Sequence, residues 1–159
     1  MEIPKEALPL IQSFLAQMSS AMKISEVLAD HNSNDKEITP DDIIGGLVYR
    51  LMIPMESSEI ETSMNSAKEI IDRIDDSESE EESDQIDDDR TKDYDKIDEC
   101  YENKKQFNRK VKHPICNCSI CSKVRVCLLN YKIHECSDPL ADKFKNAINH
   151  ACEEHKIYI

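Results

Sequence analysis

Only two glycines occur in 159 residues, tryptophan is missing, and aromatic side chains make up 5% of the chain. A turn-rich β sandwich needs more glycine and more aromatic or β-branched runs than this, so the composition points to a helix-rich fold. No apolar run approaches the roughly 20 residues needed to cross a bilayer. The opening "MEIPKEALPLIQ" carries an acid at position 2 and has no basic-then-apolar leader pattern, which predicts an intracellular protein in a reducing compartment. In such a compartment, seven cysteines read as thiols or metal ligands rather than a disulfide framework, and an odd number leaves at least one unpaired. The chain also lacks any recognisable enzyme signature, which leaves binding modules as the main classes to weigh.

Basic residues are scarce in one half only. Residues 1–99 hold 9 Lys/Arg against 27 Asp/Glu, whereas residues 100–159 hold 11 against 6. From residue 75 to 89, "DDSESEEESDQIDDD" has ten acids and no base, a composition that cannot bury enough apolar surface to offset the entropy of ordering. The expected organisation is therefore a helical bundle over 1–74, a disordered acidic linker over 75–99, and a Cys/His-rich module over 100–159. Ser77 and Ser79, each three residues before a Glu, resemble acidophilic kinase sites; the alternative is a spacer that is never modified.

In the first part, apolar residues at Leu8, Ile11, Leu15, Met18, Met22, Ile24, Val27 and Leu28 mark one helical face, with a bend or break expected near Ser19-Ser20. Thr39, Pro40, Asp41 and Asp42 make a helix start, and Pro54 marks the end of "PDDIIGGLVYRLM". Gly45 and Gly46 lie inside that helix, where each costs about 1 kcal/mol relative to Ala. Tight helix packing or a local kink is the simple explanation, and close approach of a ligand the alternative. A third helix is expected over Ser58–Ile74, and the bundle could pair with a second copy.

The chemistry concentrates in the last 47 residues, which contain six cysteines and four histidines. Soft thiolate and imidazole donors in a tetrahedral shell suit Zn2+. Cys118-x-x-Cys121 lets two thiolates from one turn reach a single ion, and Cys116 adds a third. A helix from Pro139, capped by Asp138, puts Leu140, Phe144, Ile148 and Cys152 on one face, with His155 three residues beyond Cys152. Between Cys121 and this helix, "KVRVCLL" fits a short helix or a strand; if a helix over about Ser122–Ile133 packs on the last one as an antiparallel hairpin, Cys152 and His155 reach the cysteine knuckle. The candidate metal ligands are thus Cys116, Cys118, Cys121, Cys152 and His155, five donors for about four places. Closure by Cys127, or by His134 and Cys136, is the alternative, and buried non-ligand cysteines are the plain one.

His113, His134 and His150 read as surface or capping residues. Lys104, Lys105, Arg109, Lys110, Lys112, Lys123 and Arg125 form a basic patch that could contact phosphates, or could be neutralised by the acidic run. "HPICNCSIC", "CLLNY", "ECSDPLADKFKNAI" and "HKIYI" resemble stretches of small uncharacterised proteins of giant, nucleocytoplasmic large DNA viruses. The resemblance covers under a third of the chain, and implies a viral source without implying an activity.

These readings converge on a non-enzymatic zinc-binding interaction or adaptor protein with a protein partner, no membrane association and a structural Zn2+. A nucleic-acid-associated regulator using the basic flank is the first alternative, and a thiol redox enzyme the second.

Overall fold

A computed structural model describes residues 3–32, 35–77 and 108–159. The protein is mainly helical, in the order α1 (Leu8–Asn32), α2 (Pro40–Met52), α3 (Ser57–Ser77), β1 (Arg109–Lys110), α4 (Ser119–Asn130), a 3-10 turn (Tyr131–Ile133), α5 (Pro139–Glu154) and β2 (Ile157–Tyr158). None of these helices is long and apolar enough to cross a membrane. The acidic linker lies outside the described residues from position 78 on. Its first members, Asp75 and Asp76, fall in the last turn of α3, and Ser79 is also outside the described residues.

α1 runs unbroken through Ser19 and Ser20, where a bend was expected. Ser20 and Ser25 lie on its buried stripe with Ala16, Ala21, Ile24, Leu28 and Ala29, and Ser25 Oγ donates to the Ala21 carbonyl one turn back (3.0 Å). That internal bond satisfies the hydroxyl, so a small side chain can face a neighbour without breaking the helix. The start of α2 is a reciprocal capping box. Asp42 N–H donates to Thr39 Oγ1 (3.3 Å), and Asp42 Oδ2 accepts from Thr39 N–H (2.9 Å). The helix stops at Met52 because Ile53, the residue before Pro54, is extended.

α2 is the centre of the fold. It packs against α1, α4 and α5, while α3 packs against α1. The glycine pair explains how closely these helices meet. A β-carbon at Gly46 would collide with Ser25 Oγ and the Ala21 carbonyl oxygen, so α2 rests on the backbone of α1. At Gly45 it would lie 2.9 Å from Leu28 Cδ1 and 3.3 Å from Val124 Cγ1. Gly45 is therefore where α1, α2 and α4 come together, and tight packing accounts for both glycines.

Residues 3–77 and 108–159, which composition separates into different modules, contribute to one hydrophobic core. Ile24, Leu28, Ile44, Val48 and Tyr49 meet Val124, Leu128, Tyr131, Phe144, Ile148 and Ile157 in it. The segment entering α4 is tied to α2 by Asp41, which accepts two hydrogen bonds from the Arg109 guanidinium (both 2.8 Å) and one from Lys112 N–H (2.8 Å). Burial works against the ionised Asp41, but these donors more than offset it and its pKa is lowered. Beside this anchor, β1 pairs in parallel with β2, Arg109 opposite Ile157. Lys156, at positive φ (55°), turns the chain out of α5 into β2.

Candidate metal centre

The α1 stripe continues past Leu28. One turn beyond it, still on the side that meets α2 and α4, stands His31, in the last turn of the helix. On α4, Cys121 stands one turn before Val124, the residue that Leu28 faces across Gly45. One turn along each helix from that contact, His31 therefore meets the cysteines. His31 Nδ1 lies 3.3 Å from Cys118 Sγ and 3.3 Å from Cys121 Sγ. With Cys116 Sγ added, all four donor atoms lie within 4.8 Å of one another. A tetrahedral ion with sulfur at ~2.3 Å places its donors ~3.8 Å apart, so the cluster has the size of a four-coordinate shell. This group of one imidazole and three sulfurs can hold a metal ion.

The knuckle is built locally. Cys118 is the N-cap of α4, and its Sγ accepts from Cys121 N–H (3.4 Å), while Cys116 Sγ accepts from Cys118 N–H (3.4 Å). The Cys121 N–H at this helix terminus, helped by contacts from the Cys121, Cys116 and His31 side chains, draws the Cys118 thiol down to about 6. Burial, followed by the Cys118 sulfur, pushes Cys121 up to about 12. One thiolate forms readily and opposes a second beside it, and a bound cation removes that opposition.

Arg125, about two turns into α4, holds the loop that carries Cys116. Its Nη1 donates to the carbonyls of Pro114 (2.7 Å) and Cys116, and its Nη2 donates to Ser122 Oγ (3.1 Å). The guanidinium thus fixes the backbone on both sides of Ile115, in the loop that carries Cys116. Such outer contacts orient ligands and tune their charge.

Of the five ligands expected from the sequence, Cys116, Cys118 and Cys121 come together, and Cys152 and His155 do not join them. The reason is the path of α4. Tyr131, at its end, donates to Asn149 Oδ1 (2.7 Å) and the Lys145 carbonyl (3.3 Å), two to three turns into α5. A hairpin paired from the turn outward would instead set Tyr131 against the start of α5. Cys152 lies on the predicted face, but that face meets the hydrophobic core, where burial raises its pKa. His155 is the exposed C-cap of α5. The alternative ligands are elsewhere too: Cys127 is in the core, and His134 and Cys136 are in the loop before α5. Among the described residues, His31 is the donor that sequence reasoning missed. Its signal was modest: a polar residue three positions beyond Leu28, extending a buried stripe.

A cleft of about 330 Å3 flanks the centre, lined by Asn32, Asp41, Asp42, Lys112, His113 and Ile115. Its carboxylates are engaged, Asp41 as described and Asp42 by Thr39 and Asn32 Nδ2 (3.1 Å). Two arginines of the expected basic patch are likewise occupied, Arg109 by Asp41 and Arg125 by the loop. Lys110, Lys112 and Lys123 are exposed, and Lys104 and Lys105 lie outside the described residues. No protein-family model matches the chain, and no curated protein or solved structure matches it either.

Proposed function

We propose that this chain is a non-enzymatic, zinc-binding interaction protein of a reducing, intracellular compartment. A structural Zn2+ bound by His31, Cys116, Cys118 and Cys121 would pin α1 to α4. The observation that carries the reading is the convergence within 4.8 Å of His31 with three cysteines that lie 85 to 90 residues further along the chain. A three-sulfur, one-imidazole set suits Zn2+ and fills its four places, the pattern of a structural rather than a catalytic site. The engaged carboxylates of the neighbouring cleft fit the same reading, since a hydrolytic site needs a base near its metal-bound water.

Metal analysis of the purified chain tests it. One zinc per chain is expected, lost in a Cys118→Ser Cys121→Ser variant and kept in Cys152→Ala; a folded chain that takes up no metal sinks the proposal.

A second reading has one observation in its favour. Cys118, at a helix N-terminus with a lowered pKa, and buried Cys121, with a raised one, have the asymmetry of a dithiol redox pair. That role leaves the approach of His31 and Cys116 unexplained, so it ranks below zinc. Turnover of a disulfide substrate by zinc-free protein, abolished by Cys118→Ser, would favour it. A nucleic-acid role would rest on the exposed lysines, and steep salt dependence of binding would be its mark.

A further inference from the structure

Among the described residues, two apolar faces are exposed. The first is a ridge on α4 and the turn after it, where Val126, Leu129 and Ile133 are 58%, 68% and 78% exposed. The i, i+3 spacing of Val126 and Leu129 sets them on one face of α4, and Ile133 follows in the 3-10 turn. Lys123 is exposed one turn before Val126, and Lys132 stands over the Tyr158 ring (6.0 Å) at the other end. No Asp or Glu occurs from residue 108 to 134.

The second face is a groove of about 460 Å3 between α1 and α3, lined by Leu15, Met18, Met22 and Ile70 together with Ser19, Lys23 and Glu26. Met18, Met22 and Ile70 are themselves 37% to 50% exposed. Methionine is the side chain best able to adapt to a docked helix. The two helices that form the groove carry eight carboxylates against three Lys/Arg. Contiguous exposed apolar patches, especially those rimmed by polar residues, mark interaction surfaces.

We infer that these two faces are the halves of one contact, and that the partner is a second copy of this chain, the α4 ridge of one protomer lying in the α1–α3 groove of the next. The ridge has the anchor spacing of a helix that docks in a groove, the groove is lined mainly by apolar side chains, and the segment that carries the ridge is basic where the two helices that form the groove are, taken whole, acidic. Such a contact is heterologous, so copies add head to tail unless the geometry closes a ring. This inference names the partner for the interaction role proposed above, and it stands independently of which metal the centre takes.

The test uses full-length, zinc-analysed protein in analytical ultracentrifugation over a concentration series. The weight-average mass should rise above the 18.3 kDa of one chain. Leu129→Asp, which puts a carboxylate on the ridge, and Met22→Asp, which puts one in the groove, should each stay monomeric. An equimolar mixture of the two variants should form a dimer and stop there. Each pair then retains one intact ridge and one intact groove, and the remaining faces repel. Circular dichroism of both variants should match the parent, since the substituted positions are on the surface. A parent chain that remains monomeric throughout, or variants that associate as the parent does, overturns the inference. Either result obtained on protein holding one zinc per chain leaves the metal proposal standing.

Discussion

Replacing His31 by alanine is the most direct perturbation of the centre, because it removes the one donor supplied by α1. The three cysteines alone would close only a short loop, Cys116 to Cys121. With His31 the same ion closes a loop of about 90 residues. Loop entropy scales as (3/2)RT ln n, so this difference amounts to about 2.5 kcal/mol, or ~70-fold in the folding equilibrium. Loss of a ligand bond adds to it.

The measurement is urea unfolding of parent and variant, each with and without stoichiometric zinc, alongside zinc affinity by competition with a chromophoric chelator. Zinc should stabilise the parent by at least about 2.5 kcal/mol more than it stabilises His31→Ala. The metal-free forms should differ little, since His31 is exposed at a helix end. His31→Cys, which restores a donor, should recover part of the increment. An equal zinc-dependent gain in parent and His31→Ala would refute the claim that the ion joins α1 to α4.

Arg125→Ala should weaken zinc binding about 10- to 100-fold without unfolding the chain, because the loop carrying Cys116 loses its clamp; chelator competition measures this. Gly46→Ala should destabilise by about 1–3 kcal/mol in urea, since the obstacle is the α1 backbone. At Gly45 the neighbours are side-chain tips, and the better helix propensity of Ala, about 1 kcal/mol, should offset much of the crowding. Asp41 has a native pKa below its unfolded value of about 3.9, so its contribution is complete above that pH and is lost as pH falls through the native pKa. Asp41→Asn should lower stability at neutral pH and flatten the acid limb of a stability-pH profile; an unchanged limb would assign the acid sensitivity to other groups.

Local features were legible from the residues alone. Thr39, Pro40 and the two aspartates specify the start of α2, and Pro54 its end, because capping and proline geometry act within a few positions. The stripe Phe144, Ile148, Cys152 was readable as the buried face of α5 because helical period converts spacing into direction. Likewise, the spacing of Cys116, Cys118 and Cys121 was enough to bring three sulfurs to one turn.

What spacing could not supply is the neighbour that each face meets. Cys152 and His31 are both positioned by helices that the sequence announces, and only the packing on α2 sends the first into the core and the second to the knuckle. That packing depends on Gly45, where the absence of a side chain lets Leu28 and Val124 approach, and on Tyr131, whose hydroxyl reaches the middle of α5 from the end of α4. The sequence by itself thus determined the helices and the three-thiol half of the centre, through interactions spanning a few residues. The fourth donor was decided by tertiary structure, because a contact across about 90 residues depends on how three helices share one small space.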